Sequence, residues 1–220
     1  MVSDIKRIEE IIRILKTAIR NLATPSVTLI GKKWKSPFLV LISCILSLRT
    51  KDATTLAASN RLFKLAMTPQ KMLTLKTEKI ARTIYPVGFY HTKARNIKSI
   101  CKDLVSKFNG KVPDDLETLL TLQGVGRKTA NLVLTEGYGK LGICVDTHVH
   151  RISNRFGYVK TKTPEETESV LREKLPKKFW IVYNMLLVAW GQNVCRPVSP
   201  LCSGCPVNHL CLQRGVILSR

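Results

Sequence analysis

The sequence predicts an all-α fold, and three observations carry that prediction. No stretch sustains the period-two alternation of a half-buried strand. Apolar residues recur at helical spacing from the start, with Ile5, Ile8, Ile12, Leu15, Ile19 and Leu22 three or four residues apart. Helix-start signals recur further on. Ser36-Pro37, Thr68-Pro69 and Thr163-Pro-Glu-Glu166 each place a hydroxyl at the cap and proline at the first helical position.

The elements follow in order. Residues 3–22 read as an amphipathic helix that Pro25 ends, and residues 27–35 as a loop. Residues 38–48 are apolar all round, which predicts a central buried helix. Arg49-Thr-Lys-Asp52 breaks it, and residues 52–65 form the next helix. Short helices begin at Thr68-Pro69 and Thr77-Glu78, and Tyr85-Pro-Val-Gly-Phe-Tyr90 is a turn. Residues 92–108 form a long basic helix that Asn109-Gly110 caps. Pro113-Asp-Asp115 opens a helix leading into a glycine-rich turn, and residues 147–155 form another. Thr163 and Glu166 fit a capping box for a helix to Leu175. Residues 179–190 are a last apolar helix. There is no internal repeat, low-complexity segment or obvious linker.

The chain has 220 residues and 45% hydrophobic content, enough for one large domain or two small ones. Lysine and arginine number 36 against 15 acids, a formal charge of +21. Such an excess predicts a polyanionic partner, nucleic acid before a membrane surface. The charge is spread along the chain, which favours a folded basic surface over a disordered arm. The run at residues 38–48 is shorter than the ~20 residues of a membrane span. The first ten residues carry acids and lack a signal-peptide core, so an intracellular protein is expected. Seven cysteines in a reducing compartment are ligands or buried thiols before they are disulfides.

Two stretches carry chemistry. In Leu122-Gln-Gly124-Val125-Gly126-Arg127-Lys128-Thr129-Ala130, two glycines sit between helical segments. Gly126 opens a helix over residues 127–136. The first amides of a helix lack partners within it and lie at the positive end of its dipole, so this turn can hold a phosphate. Lys128 puts an amine in the first turn, and Val145-Asp146-Thr147-His148 follows with a carboxylate. On position alone Lys128 is one more phosphate-binding lysine, and Asp146 is the N-cap of the helix from Thr147. The second stretch is Cys195-x6-Cys202-x2-Cys205-x5-Cys211. Four cysteines this close form a metal-site pattern that both Zn²⁺ and a [4Fe–4S] cluster satisfy. Cys44, Cys101 and Cys144 lie in helical or apolar contexts and read as packing residues.

The Leu-x-Gly-Val-Gly-Arg-Lys-Thr-Ala and Val-Asp-Thr-His pairing resembles the helix–hairpin–helix and catalytic loop of the endonuclease III family of DNA glycosylases with lyase activity. The cysteine spacing resembles that family's iron–sulfur loop, so the likeness extends over nearly the whole chain. It implies two helical lobes flanking a DNA groove. One is a six-helix barrel over residues 30–140, carrying the hairpin. The other combines residues 1–29 and 141–220, with a [4Fe–4S] cluster at residues 195–211.

The resemblance further implies a bifunctional glycosylase and abasic-site lyase. It would act as a monomer on double-stranded DNA and remove oxidised pyrimidines in base excision repair. Lys128 would attack C1′ to form a Schiff base. Asp146 would serve proton transfer and stabilise the sugar cation. Gly124, Val125, Gly126, Arg127 and Thr129 would hold the DNA backbone, as would Arg196 in the cysteine loop. Arg49 and Phe89 would enter the gap left by the flipped nucleotide, and His148 would line the base pocket. Arg49 stands where the family commonly has glutamine. Relatives specialised for adenine mismatches carry a glutamate in the helix matching residues 38–48, and this chain has no acid there. Two rival readings are a monofunctional mismatch glycosylase and a non-catalytic DNA-binding protein with structural zinc.

Overall fold

The computed structural model describes residues 4–220, which are helical with no strand among them. The chain divides into two compact units, Ser26–Lys140 and residues 4–25 with Leu141–Arg220.

The Ser26–Lys140 unit is built around one helix. Eight helices form it: α2 (Ser26–Trp34), α3 (Pro37–Ser47), α4 (Asp52–Leu65), α5 (Pro69–Thr74), α6 (Thr77–Ile84), α7 (Tyr90–Lys107), α8 (Leu116–Leu120) and α9 (Arg127–Leu132). A wider turn of helix, Val133–Gly137, continues α9. Every residue of α3 from Phe38 to Leu46 is buried, and α3 packs against α2, α4, α7 and α9. An all-apolar helix has no face for water, so its neighbours must surround it. Ser36 caps it by accepting from the Leu39 amide at 3.4 Å, with Pro37 at the first position.

The segment expected to be a loop, residues 27–35, is helix α2. Its cap comes from elsewhere in the chain. The Asp52 carboxylate accepts from the Ser26 amide at 2.8 Å and the Ser26 hydroxyl at 2.7 Å. Gly31 also lowers the local helix signal, yet it is required. A Cβ there would stand 2.9 Å from the Glu136 carbonyl oxygen.

The second unit packs α1 (Asp4–Ala18), α10 (Thr147–Arg155), α11 (Pro164–Lys174) and α12 (Trp180–Asn193) around Ile8, Ile12, Val149, Ile152, Tyr183 and Leu187. Of the first predicted helix, Ser3 lies outside the described residues, and Ile19–Asn21 tightens into a 3₁₀ turn. The capping box at α11 is half formed. Thr163 accepts from the Glu166 amide at 3.2 Å, but the Glu166 carboxylate reaches back to the Lys162 amide at 2.8 Å. After α12 the chain has little regular structure. Its cysteines at 195, 205 and 211 pack partly against the same core. No helix is long and apolar enough to cross a membrane among the described residues.

Candidate active site and cysteine loop

The hairpin turn lies between α8 and α9. Asp115 caps α8, accepting from the Thr118 amide at 2.8 Å. The chain then turns through bonds from Leu122 to Leu119 and from Val125 to Leu122, at 3.2 and 3.0 Å. Gly124 has φ +77°, and a Cβ there would stand 2.7 Å from the Asn96 amide nitrogen. The positive φ is what favours glycine, since the Asn96 side chain can move aside. Gly126 is the N-cap of α9, with open space where a Cβ would be. Val125 points inward at 6% exposure, while Arg127 is exposed. Thr129 is buried, which removes its side chain from any external contact and leaves its amide.

Lys128 is half-buried in the first turn of α9, on the side of α3. Its charge is felt there by Cys44. Burial pushes that thiol up to about 12, the Lys128 ammonium pulls it back, and the Glu136 carboxylate adds to the rise. Glu136 is itself raised by burial, though a 2.8 Å bond from Thr28 opposes this. Cys44, Cys101 and Cys144 are all buried, as packing residues should be.

Asp146 lies in the other unit and is 9% exposed. It is the N-cap of α10, where one carboxylate oxygen accepts from the amides of His148 and Val149, each at 2.9 Å. Those bonds fix the carboxylate's direction. His148 packs its ring on α12 at Gly191, where a Cβ would stand 2.4 Å from the ring nitrogen. Arg151 bridges His148 Nδ1 at 3.2 Å and the Cys195 carbonyl at 2.9 Å.

Arg49 and Phe89 come together from separate turns. Both are exposed, both have positive φ (51° and 57°), and the Arg49 guanidinium lies 5.7 Å from the Phe89 ring centre. Beneath them Lys93, 5% exposed, bonds the Leu46 carbonyl at 2.8 Å, the Leu48 carbonyl and the Thr50 hydroxyl at 3.0 Å. Sequence reading passed over this lysine. The signal was present, because Lys93, Ala94, Ile97, Ile100, Cys101 and Leu104 form the buried stripe of α7. A lysine at an apolar register position needs partners.

The four tail cysteines line one small cavity with Arg155, Trp190 and Asn208. Arg155 is also buried and was also passed over. It donates to the Arg196 and Pro197 carbonyls at 2.6 and 2.7 Å and approaches the Cys195 sulfur at 3.4 Å. Burial pushes Cys205 up to about 11, and the charges of Cys195, Cys211 and Cys202 add to that rise. Cys211 is raised for the same reasons. Thiolates gathered in this way repel one another unless a cationic centre holds them. The cavity also borders Trp190, whose indole nitrogen is buried without a protein partner. Among the described residues no three His, Cys, Asp or Glu side chains close on a single ion. Arg196 is exposed, with Nε on the Asn193 carbonyl at 3.2 Å.

A profile described as HhH-GPD superfamily base excision DNA repair protein matches residues 42–177. The chain belongs to that superfamily. Within it the chain is 49% identical to Endonuclease III of Thermotoga maritima, over 81% of this chain and 84% of that protein. Two solved structures are similar over most or nearly all of the chain. One is a non-covalent endonuclease III–DNA complex, with TM-score 0.84 and 33% identity over 97% of each chain. The other is a trapped endonuclease III–DNA covalent intermediate, with TM-score 0.76 and 38% identity over 81% of this chain and 84% of that one. The chain is thus an endonuclease III family member with the base excision repair function of a DNA glycosylase and lyase.

Proposed function

We propose that this chain removes oxidised pyrimidines from duplex DNA and cleaves the strand at the abasic site. Lys128 is the nucleophile of this reading. Its amine forms a bond to C1′ as the base leaves. The resulting Schiff base with the opened sugar permits β-elimination of the 3′ phosphate. Asp146, aimed by its own cap bonds, accepts and returns protons and stabilises the positive charge on the sugar. The Gly124–Val125–Gly126 turn with Arg127 and the Thr129 amide grips the backbone. Arg49 and Phe89 fill the gap, and His148, anchored on Gly191, flanks the base pocket. Flipping costs a few kcal/mol, which the filled gap offsets.

The observation that carries this reading is the placement of Lys128. It opens a helix after a Gly-Val-Gly turn, against the buried apolar helix α3, which carries no acid. The trapping of a similar endonuclease III as a covalent intermediate with DNA supports a covalent route. Four thiols around one cavity, at the C-x6-C-x2-C-x5-C spacing, would hold a [4Fe–4S] cluster through Cys195, Cys202, Cys205 and Cys211. When bound, the cluster supplies cross-links between the end of α12 and the chain's last turns. Arg155 donates toward the anionic group, and Arg196 is left outward to meet a phosphate.

The test is borohydride trapping on duplex DNA carrying an oxidised pyrimidine, with Lys128→Ala alongside. An adduct in the parent protein and none in the variant is expected. Base release without an adduct in the parent would mark a monofunctional glycosylase. Full strand cleavage by Lys128→Ala would end the assignment.

A further inference from the structure

Two turns meet at Arg49 and Phe89, and neither holds its shape alone. Arg49 and Phe89 occupy left-handed backbone conformations without being glycine, which strains both turns. Such a pair persists only where its surroundings over-determine it. Those surroundings form one closed hydrogen-bond set. An ammonium has three donors, and Lys93 sends them to the Leu46 carbonyl, the Leu48 carbonyl and the Thr50 hydroxyl. A hydroxyl has one donor and two acceptor sites. Thr50 donates to the Leu48 carbonyl at 3.2 Å and accepts from both Lys93 and the Gly88 amide at 3.2 Å. Gly88 is required for that approach, because a Cβ there would stand 2.7 Å from the Arg49 carbonyl oxygen. Lys93 lies four residues from Phe89, and its amide bonds the Phe89 carbonyl at 3.0 Å.

We propose that Lys93 is a positioning residue that holds Arg49 and Phe89 in register as a single wedge. The wedge assignment itself rests on the function proposed above. The ammonium gathers the carbonyls at the end of α3 and, through Thr50, ties them to the turn before α7. One buried cation therefore sets the backbone of both exposed side chains without touching DNA. Its burial lowers its pKa to about 8, so the amine remains mostly protonated at neutral pH. The wedge matters most where a stacked base must be displaced and least at a site that has already lost its base.

The test uses single-turnover base release from an oxidised-pyrimidine duplex and strand cleavage of an abasic duplex. The variants are Lys93→Met, Phe89→Ala and the double variant, with thermal unfolding confirming that each is folded. Lys93→Met is expected to slow base release by roughly tenfold and abasic cleavage by less than about threefold. Adding Lys93→Met to Phe89→Ala should cost under about twofold more, since the two act as a unit. Thr50→Val, which removes the bridge and keeps the shape, should show the same selective loss and serves if Lys93→Met does not fold. Equal losses on both substrates, or multiplying losses in the double variant, would show a merely structural lysine and overturn the proposal. A silent Phe89→Ala would instead remove the wedge reading and the role of Lys93 with it.

Discussion

The wedge turns and the cysteine loop solve the same problem by different means. Each is irregular chain bearing non-glycine residues with positive φ, Arg49 and Phe89 in one, Ser199 and Gln213 in the other. Each is braced by one buried cation on a neighbouring helix, Lys93 on α7 and Arg155 on α10. Lysine suits the first because its three donors fan out to three acceptors around a point, and the set closes with protein groups alone. Arginine suits the second because its planar fork reaches two consecutive carbonyls, Arg196 and Pro197, and still faces a sulfur. The cysteine loop gathers four thiols around one cavity. One turn is therefore closed by protein groups alone, and the other is completed, in the function proposed above, by a bound cluster.

The largest effect expected from this contrast is on the cysteine side. Cys202→Ser removes one of the four ligands proposed for the cluster. Iron and acid-labile sulfide should be lost and the unfolding temperature should fall steeply, since a structural metal site contributes ~10 kcal/mol to folding. A colourless, equally stable variant would show that the loop is held by protein contacts, as the wedge is.

Arg155→Met comes next. It leaves two loop carbonyls without their donor, and urea unfolding should show a loss of about 3 kcal/mol. Arg155→Lys should recover less than half of that, because an ammonium cannot reproduce the fork. Full recovery would make the two braces interchangeable and erase the distinction.

The last effect concerns pH. Lys93 titrates near 8 in the folded protein against 10.5 for an ordinary lysine. Between those values the unfolded chain binds more protons at this position, so this residue adds stability as pH rises from about 8 to 10.5. Below pH 8 its burial is a cost. Parent protein should gain stability relative to Lys93→Met across that window, read from paired denaturation curves. Parallel curves would show that Lys93 is solvated.

Much of the molecule was legible because its determinants are local. The cap and proline that start α3, the left-handed Asn109-Gly110 closing α7, and the Asp115 cap of α8 all act within a few residues. The cysteine tail was legible for the same reason, since ligand spacing is a property of one short segment. Lys128 and Asp146 stood out through the motif around each. Helix α2 was not legible, because its cap is a carboxylate 26 residues away. The capping box of α11 was legible only in part, since the Glu166 carboxylate chose the neighbouring amide.

The sequence by itself determined the helical class, the hairpin, the catalytic pair as candidates and the four clustered cysteines. Short-range geometry and residue chemistry suffice for those. Only the tertiary structure decided that Lys93 and Arg155 are braces, that Thr129 faces inward, that His148 rests on Gly191, and that Arg49 meets Phe89. Each of these depends on which backbone carbonyls and side chains arrive from distant helices. A buried cation has no meaning until the acceptors that satisfy it are in place.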